Sequence, residues 1–564
     1  MPSPAFQEPP APVPPTPKAR VDELVARVAS KKDAWLVVGI AQRLDYLRRA
    51  IEGVIEVADD WVAGGCALKG IARGEPLEGE EWVAGPYPTI RNLRLLIDAL
   101  EHDGRPPPVS IETRHGQKIA RVFPQNLMDR ALFTGFVGEV WIEPGAEATQ
   151  GACYRNKRES GRVALVLGAG NVSSIPPMDV IHKLFVEDEV VVLKMNPVNA
   201  HVGPRLERAF RALIDDGFLA VVYGGAEVGA HLADHPQIDT LHVTGSDRTY
   251  DAIVWGRDPA DQARRKASGD RLNARPFTAE LGCVTPILIV PGAWSEADLA
   301  FQARHVAGMV AQNASFNCNA AKVLVTAQGW AQEGAFLAKV REALARTPPR
   351  KAYYPGAKDR WRAFVEHYPK ADAVGADAEG VVPWTVLPDV PAAEGEYALS
   401  NEAFCGVIAE VSLDASGPAD FLEKAVAFAN DRCWGTLSCG VFIHPATERD
   451  HAEAFDRAIA ELRYGGIGVN CWPAVLYALV NTTWGAFPGH PPEDIRSGTG
   501  VVHNALLFDH PQKSVVRAPF RIFPTPVWFA DHKTLAEVGA RITRFEAAPS
   551  WGKLLGLAIA AMRG

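Results

Sequence analysis

The sequence is poor in the features that mark disulfide-stabilised, metal-binding and membrane-spanning proteins. It holds eight cysteines in 564 residues, without a CxxC pair, and its histidines do not pair with cysteines at the spacing of zinc ligands. We therefore expect reduced thiols, a cytosolic protein and no metal site. No apolar run reaches the roughly 20 residues that a membrane-spanning helix needs, so no membrane span is expected.

The sequence also lacks an excess of positive charge and a secretory signal. Its formal net charge of −9 gives no electrostatic reason to bind nucleic acid. The N-terminal stretch is rich in proline and has no apolar core. Residues 1–19 are therefore predicted to form a disordered tail and not a targeting sequence.

What the sequence does have is the length and composition of a multidomain globular protein. A chain of 564 residues is too long for one ordinary core. Hydrophobic residues make up 47% and charged residues 22%, a usual balance for a globular protein. Apolar residues recur at helical spacing over residues 21–71, which predicts two or three antiparallel helices there.

Strands and helices then alternate over two stretches of the chain. Apolar strands are predicted at residues 163–167, 189–194, 219–223 and 240–243, with helices between them. This alternation is typical of a doubly wound parallel sheet, whose ligands bind at the carboxyl ends of the strands. A second alternation from residue 322 to 470, with an irregular insert at 351–396, predicts a second α/β domain.

A cysteine and a carboxylate stand out on either side of a predicted strand and a long helix. A thiol can act as a nucleophile, and a nearby carboxylate can act as a general base. Taken alone, Cys318 is more typical of a small core residue, and Glu280, on a predicted polar turn, of a solvated surface group. The polar residues Asn313, Ser315 and Asn317 weigh against a dry core around Cys318, since each would need a hydrogen-bond partner there.

Three further candidates follow predicted strands. The amide of Asn171 could stabilise an oxyanion, although its loop, Gly168–Ser173, is an incomplete dinucleotide-binding motif. Lys194 is either a surface lysine or a ribose-binding group. Gly245 and Ser246 would present backbone N–H groups to a pyrophosphate, or they simply cap a helix.

In their order and spacing these residues resemble the aldehyde dehydrogenase superfamily, from about residue 21 to 520. The resemblance extends to the segments Glu280-Leu281-Gly282, Asn313–Cys318, Asn401–Gly406, Gly466–Asn470 and Trp484–Phe487. It implies that Cys318 attacks an aldehyde, that Asn171 holds the oxyanion, and that Glu280 activates water to release the acid from a thioester. It also implies a dinucleotide cofactor, NAD or NADP, bound by Lys194, Gly245, Ser246, Glu402 and Phe404.

The fold that the resemblance implies is α/β, with two doubly wound α/β domains and a small oligomerisation β element. The first domain is a Rossmann-like cofactor domain and the second is the catalytic domain. The implied bounds are 20–137 and 160–281 for the cofactor domain, 282–495 for the catalytic domain, 138–159 and 508–522 for the oligomerisation strands, and 523–564 for a C-terminal extension. Residues 512–520 alternate like an edge strand that pairs with a partner subunit, so a homodimer or tetramer is predicted.

The sequence departs from the superfamily pattern at three places. Cys283 replaces a glycine beside the base, Ser315-Phe316 replaces Gly-Gln in the cysteine loop, and Pro197 replaces a glutamate that favours NAD. Cys283 either fills the space of the glycine or forms a reversible disulfide with Cys318. The loss of the glutamate weakens the exclusion of NADP.

Two other functions remain open at this point: a CoA-acylating dehydrogenase, and a catalytically silent binding protein on the same fold. The substrate itself is not readable from the sequence. Bulky residues predicted to line the entrance favour an apolar or aromatic aldehyde: Trp472, Tyr477, Trp484 and Phe487.

Overall fold

The computed structural model describes residues 11–564, so the first ten residues of the predicted tail lie outside the described residues. The strands, in chain order, are β1 (Ser110–Arg114), β2 (Gln117–Phe123), β3 (Val137–Ile142), β4 (Val163–Leu167), β5 (Val190–Lys194), β6 (Leu219–Val222), β7 (Thr240–Gly245), β8 (Phe277–Leu281), β9 (Pro286–Ile289), β10 (Val323–Gln328), β11 (Asp372–Ala373), β12 (Thr385–Leu387), β13 (Val407–Asp414), β14 (Ser438–Phe442), β15 (Gly466–Val469), β16 (Trp484–Gly485), β17 (Val501–His503) and β18 (Pro511–Arg517).

The α-helices lie between and around these strands. In chain order they are α1 (Lys18–Ala29), α2 (Lys32–Leu36), α3 (Ile40–Lys69), α4 (Gly79–Val83), α5 (Pro86–Glu101), α6 (Leu127–Leu132), α7 (Ala152–Arg155), α8 (Ile175–Phe185), α9 (Gly203–Ala209), α10 (Arg211–Asp215), α11 (Ala226–Ala233), α12 (Asp247–Val254), α13 (Pro259–Ser268), α14 (Glu296–Ala311), α15 (Glu333–Arg346), α16 (Ala357–His367), α17 (Tyr397–Ser400), α18 (Pro418–Arg432), α19 (Pro445–Asp450), α20 (Ala452–Glu461), α21 (Ala474–Leu479), α22 (Leu535–Ala547) and α23 (Trp551–Met562).

The first alternation forms a five-stranded parallel sheet in the order β6-β5-β4-β7-β8. Its central strand, β4, pairs in parallel with β5 and with β7, and all of its residues are buried. An apolar run such as Val-Ala-Leu-Val-Leu is what a strand covered on both faces requires. The predicted parallel sheet is therefore confirmed.

The second alternation forms the parallel part of an eleven-stranded sheet in the order β1-β2-β3-β18-β15-β14-β9-β10-β13-β12-β11. Strands β9, β10, β13, β14 and β15 carry the predicted strand segments, and their register is parallel. The predicted α/β fold with two sheets is confirmed.

The predicted oligomerisation element is part of this large sheet, and β18 is not an edge strand. It pairs in parallel with β15 and antiparallel with β3, so both of its backbone edges are already hydrogen-bonded within one chain. The argument for a partner subunit on residues 512–520 is wrong for this reason. The dimer or tetramer stays a prediction without support from this strand, and the edge of the sheet on this side is the exposed β1.

The insert at residues 351–396 is more regular than predicted. It contains helix α16 and the two short strands β11 and β12. Strand β12 extends the large sheet by pairing in parallel with β13. Ala357 and Phe364 are the buried residues of α16. Such short elements carry too few apolar residues to show a period in the sequence.

Residues 16–19, which fall within the predicted tail, are part of the folded structure. The backbone N–H of Thr16 donates to the carbonyl oxygen of Tyr223, and its hydroxyl accepts from the Tyr223 N–H. Helix α1 begins at Lys18 and buries Val21, Val25 and Val28, which lie on one face at helical spacing.

The C-terminal extension forms α22 and α23 and is tied to the body by a buried ion pair. The Glu546 carboxylate accepts hydrogen bonds from Arg91 and Arg94, each with a contact of 2.6 Å. Arg91 also donates to the Leu479 carbonyl and the Asn481 side chain, at 2.6 Å each. Burial alone would raise the pKa of Glu546, but the two arginines hold it below its usual value.

Among the helices of residues 11–564, none has the length and apolar character that crossing a bilayer demands.

Candidate active site

A cavity of about 1230 Å³ lies where the carboxyl ends of β4, β5 and β7 face the second domain. This is the place where open parallel sheets bind ligands. Every residue predicted for catalysis or cofactor binding lines it: Asn171, Lys194, Gly245, Ser246, Glu280, Cys318, Glu402 and Phe404. We call the part of the cavity around Cys318 the reaction end, and the part around Lys194, where a dinucleotide is predicted to bind, the dinucleotide end.

Glu280 lies in strand β8 and not on the polar turn that was predicted. It is buried, and neither carboxylate oxygen has a hydrogen-bond partner among residues 11–564. Burial raises the pKa of Glu280 to about 8, and the nearby Cys318 thiol and Trp484 indole offset only part of this effect. A carboxyl group with a pKa in this range is suited to act as a general base near neutral pH.

A buried acid–histidine cluster lies behind Glu280. Thr244 on β7 is the register partner of Glu280 on β8, and its hydroxyl donates to the Asp179 carboxylate at 3.1 Å. His503 on β17 donates to the other oxygen of Asp179 at 2.7 Å. The negative charge of Asp179 adds to the rise in the pKa of Glu280.

The Cys318 thiol shares the cavity with Glu280 and Asn171. Burial raises its pKa well above 9, and the carboxylates of Glu280 and Glu402 raise it further, whereas the Lys322 ammonium lowers it. The resting thiol is therefore protonated at neutral pH. It needs a base to become a nucleophile, and Glu280 is in position to serve.

The loop before Cys318 follows a left-handed path. Asn313, Ala314 and Ser315 have φ values of 54°, 54° and 69°, which cost energy in residues other than glycine. The Asn313 amide donates to the carbonyl oxygens of Asn171 and Phe316, at 3.1 Å each. These hydrogen bonds hold the strained loop and aim Cys318 at the cavity.

The Asn171 side chain is part of the same hydrogen-bonding group. Its amide donates to the Phe316 carbonyl at 2.9 Å, and the Tyr353 hydroxyl donates to its backbone oxygen at 3.1 Å. One N–H of the amide is thus committed to the loop, and the other is free to serve a ligand in the cavity.

Lys322, just before β10, lies beneath the cysteine loop. Its ammonium donates to the carbonyl oxygens of Cys283 at 2.9 Å, Asn317 at 3.1 Å, and both Cys318 and Ala320 at 3.3 Å. It also forms an ion pair with Glu402 at 3.0 Å. Glu402 packs directly over Gly282, where any side chain would collide with its carboxylate.

The dinucleotide end has a different character. Lys194 is only 8% exposed, and its ammonium makes no hydrogen bond or ion pair within the described part of the chain. Burial lowers its pKa to about 8. Helix α11 begins behind Gly225 without a side-chain cap, and Ser246 caps α12 by accepting from the Arg248 N–H.

Comparison with known proteins agrees with this arrangement. Residues 166–356 match the model of the aldehyde dehydrogenase family, and this span includes Asn171, Lys194, Glu280 and Cys318. Over this third of the chain the sequence is similar to the aldehyde dehydrogenase family. No curated protein sequence matches it at a significant level.

Solved structures of superfamily members share the fold. The aldehyde dehydrogenase KauB from Pseudomonas aeruginosa has a TM-score of 0.62 and 18% identity, and the match covers 90% of each chain. γ-Glutamyl-γ-aminobutyraldehyde dehydrogenase from Burkholderia cenocepacia has a TM-score of 0.59 and 20% identity, and the match covers 91% of each chain. The NADP complex of NADP-dependent glyceraldehyde-3-phosphate dehydrogenase from Bacillus halodurans has a TM-score of 0.58 and 15% identity. That match covers 90% of this chain and 92% of the other.

The role of four aromatic residues as entrance walls stays a prediction. None of Trp472, Tyr477, Trp484 and Phe487 lines the large cavity. Trp472 and Trp484 are buried, and the Trp472 indole donates to the Asn319 carbonyl at 2.8 Å. The Tyr477 hydroxyl is hydrogen-bonded to Ser174 at 2.8 Å. Tyr477 and Phe487 are only partly buried, and the Trp484 indole N–H has no hydrogen-bond partner within residues 11–564.

Other residues of this aldehyde dehydrogenase fold line the site without having been predicted. Tyr354 and Arg360, from the insert, line the reaction end, where the Arg360 guanidinium lies 5.6 Å from the Phe404 ring centre. Lys322 was also missed, although a lysine entering an apolar strand is a recognisable signal of a buried charge. The sulfur of Cys283 faces the Ser438 carbonyl at 3.7 Å, and its disulfide with Cys318 stays a prediction.

Proposed function

We propose that the protein is an NAD(P)-dependent aldehyde dehydrogenase that oxidises an aldehyde to a carboxylic acid through a thioester on Cys318. The observation that carries the proposal is the meeting of a thiol, Cys318, and a buried, unpaired carboxylate, Glu280, in one large cavity. A nucleophile and a separate base are what a two-step covalent oxidation requires.

In the first step Glu280 takes the thiol proton, and the sulfur of Cys318 bonds to the aldehyde carbon. The free N–H of Asn171 and the Cys318 backbone N–H stabilise the resulting oxyanion. A bound dinucleotide would supply the hydride acceptor that converts the adduct to a thioester. Glu280 next passes the thiol proton to solvent and becomes a carboxylate again. It then removes a proton from water, the water oxygen bonds to the acyl carbon, and the carbon–sulfur bond breaks to release the acid and the Cys318 thiolate.

The residues at the dinucleotide end fit the proposed cofactor. An unpaired ammonium at Lys194 and the N-termini of α11 and α12 offer positive charge and N–H groups to phosphate and ribose oxygens. Beside Lys194 the cavity is lined by the uncharged Asn196 and Pro197, so no carboxylate next to the lysine repels a 2′-phosphate. We therefore expect both NAD and NADP to support turnover.

The test is a panel of aliphatic and aromatic aldehydes, each assayed with NAD and NADP, with and without CoA. Reduction of either dinucleotide with release of free acid in the absence of CoA is the expected result. Strict dependence on CoA would assign a CoA-acylating enzyme. Dinucleotide binding without turnover of any aldehyde would assign a catalytically silent binding protein and overturn the proposal.

We also propose that the protein works in a reducing compartment such as the cytosol. All eight cysteines are unpaired, and a nucleophilic Cys318 must stay reduced to act.

A further inference from the structure

A charged pair links the two ends of the reaction centre. The Lys322 ammonium contacts the carbonyl of Cys318, the residue that carries the thiol, at 3.3 Å. It also contacts the Glu402 carboxylate at 3.0 Å. Lys322 and Glu402 both come from the second α/β half of the chain. Of Lys322, Glu402 and Cys318, the last two line the cavity and Lys322 does not.

The ammonium has more acceptors than it can satisfy. Its three N–H groups face four carbonyl oxygens and one carboxylate, all within 3.3 Å. The Lys322 side chain is 2% exposed, so solvent contributes little screening. A charge at this depth acts strongly on any ionisable group beside it.

We propose that Lys322 is a positioning residue that stabilises the thiolate of Cys318, and that Glu402 is the counter-charge that limits this effect. The inference rests on the proposed role of Cys318 as the nucleophile. It assigns Glu402 a second role beside the cofactor contact that the family resemblance implies.

The directions of the charge effects agree with this assignment. The pKa of Cys318 is raised chiefly by burial and next by Glu280; Glu402 raises it further, and Lys322 lowers it. The pKa of Glu402 is raised by burial, although Lys322 opposes the rise. The charged groups that face the thiol are therefore Glu280 from β8, Glu402 from the segment before β13, and Lys322 from the start of β10.

Alkylation of Cys318 by iodoacetamide tests the proposal without any aldehyde or cofactor. The rate follows the thiolate fraction, and peptide mass spectrometry reads it at this one cysteine across pH 6 to 10. In Glu402→Gln, which removes the counter-charge and leaves Lys322 charged, we expect alkylation at pH 8 to rise about tenfold, the change that one pKa unit gives. The midpoint of the pH profile should fall.

Adding Lys322→Met to Glu402→Gln isolates the lysine charge, since no carboxylate at position 402 can then take up a proton in response. We expect the double variant to be alkylated about tenfold more slowly than Glu402→Gln, with a higher midpoint. Cys153 is half-buried and lies in a separate cavity, so its alkylation rate in the same samples serves as the internal control and should not change.

An unchanged or raised midpoint in Glu402→Gln would overturn the proposal and leave Lys322 with a purely structural role. Equal changes at Cys153 and Cys318 would overturn it too, since they would report general loosening. If the double variant does not fold, Glu402→Gln alone decides. Failure to oxidise any aldehyde would contradict the proposed function but not this electrostatic relation, because alkylation needs no substrate.

Discussion

The two ends of the cavity differ in whether a buried lysine has hydrogen-bond and ion-pair partners. At the reaction end Lys322 is surrounded by carbonyl oxygens and the Glu402 carboxylate. At the dinucleotide end Lys194 is equally hidden but has no partner within residues 11–564. A polar group at a cavity that the protein leaves unsatisfied is available to a ligand or to water. The lysine of the reaction end is thus paired within the chain, whereas the lysine of the dinucleotide end is left for the ligand that the proposed function requires.

The same contrast holds for the backbone. At the reaction end three successive residues, Asn313, Ala314 and Ser315, are held in the left-handed region. At the dinucleotide end the chain passes through Gly225, Gly229 and Gly245, where an added Cβ would meet open space or only a distant side chain. Backbone strain is therefore found in the loop that positions the Cys318 thiol, and open space is found at the end where a dinucleotide is predicted to bind.

The largest effect confined to the reaction end is expected for Cys318→Ala. We expect turnover to fall by at least about 10⁴-fold, because the covalent step has no other nucleophile. Dinucleotide affinity should change by less than about threefold, since none of the groups at the dinucleotide end is touched. Steady-state assays and fluorescence titration of the dinucleotide measure the two effects, and appreciable turnover in this variant would refute the role of Cys318.

The next largest effect is expected for Glu280→Gln. Loss of the base should slow acyl release by about 10²- to 10⁴-fold. With a pKa of about 8, Glu280 becomes ionised as pH rises through 8. The rate of wild-type deacylation should therefore increase over that range and then level off. The rate in the variant should not change with pH over the same range. Glu410, another buried carboxyl group with a raised pKa of about 7, lies outside the cavity, and Glu410→Gln should keep the wild-type profile.

The two lysines give a matched test of stability. Lys322→Met leaves the Glu402 carboxylate buried without its cation and should lower the free energy of unfolding by about 3–5 kcal/mol. Lys194→Met removes an unpaired buried ammonium, so its stability should be unchanged or higher, while dinucleotide affinity should fall about tenfold. Urea unfolding and cofactor titration of both variants provide the comparison, and equal destabilisation by the two changes would contradict it.

The smallest effect is expected for Ser315→Gly. Glycine adopts the left-handed conformation at no steric cost, so the free energy of unfolding should rise by about 1 kcal/mol. The Ser315 hydroxyl has no hydrogen-bond partner in the described chain, so its removal forfeits no contact. Ala307→Gly in the nearby helix α14 is the control and should destabilise by about the same amount, and a loss of stability in Ser315→Gly would show that the loop is not strained.

The sequence was sufficient to predict the elements whose apolar pattern admits one interpretation. Val163–Leu167 is apolar throughout and is followed by glycine, and it is a buried strand with these bounds. The residues that line the cavity were found because they follow such strands or carry reactive groups in polar loops. The residue type and its place at a strand end were enough there.

Elements that depend on distant partners could not be predicted in this way. Glu280 seemed to lie on a polar turn, but β8 is held by pairing with β7 and a bridge to Gly498. Residues 512–520 seemed to form an edge, but β3, more than 360 residues away by number, covers that edge. The hydrogen bonds of Trp472 to Asn319 and of Tyr477 to Ser174 likewise join residues far apart in the sequence, and no local pattern predicts them.

The contact between Glu546 and the two arginines of α5 has a consequence for any shortened form of the protein. A chain that ended before α22 would leave the buried Arg91 with only the longer, 3.7 Å contact to Asp129 in place of its 2.6 Å ion pair with Glu546. Arg91 also donates hydrogen bonds to the Leu479 carbonyl and the Asn481 side chain. Removal of α22 and α23 is therefore expected to weaken the packing around Arg91, Leu479 and Asn481 as well. The C-terminal extension thus supplies a charge partner for a buried arginine of α5.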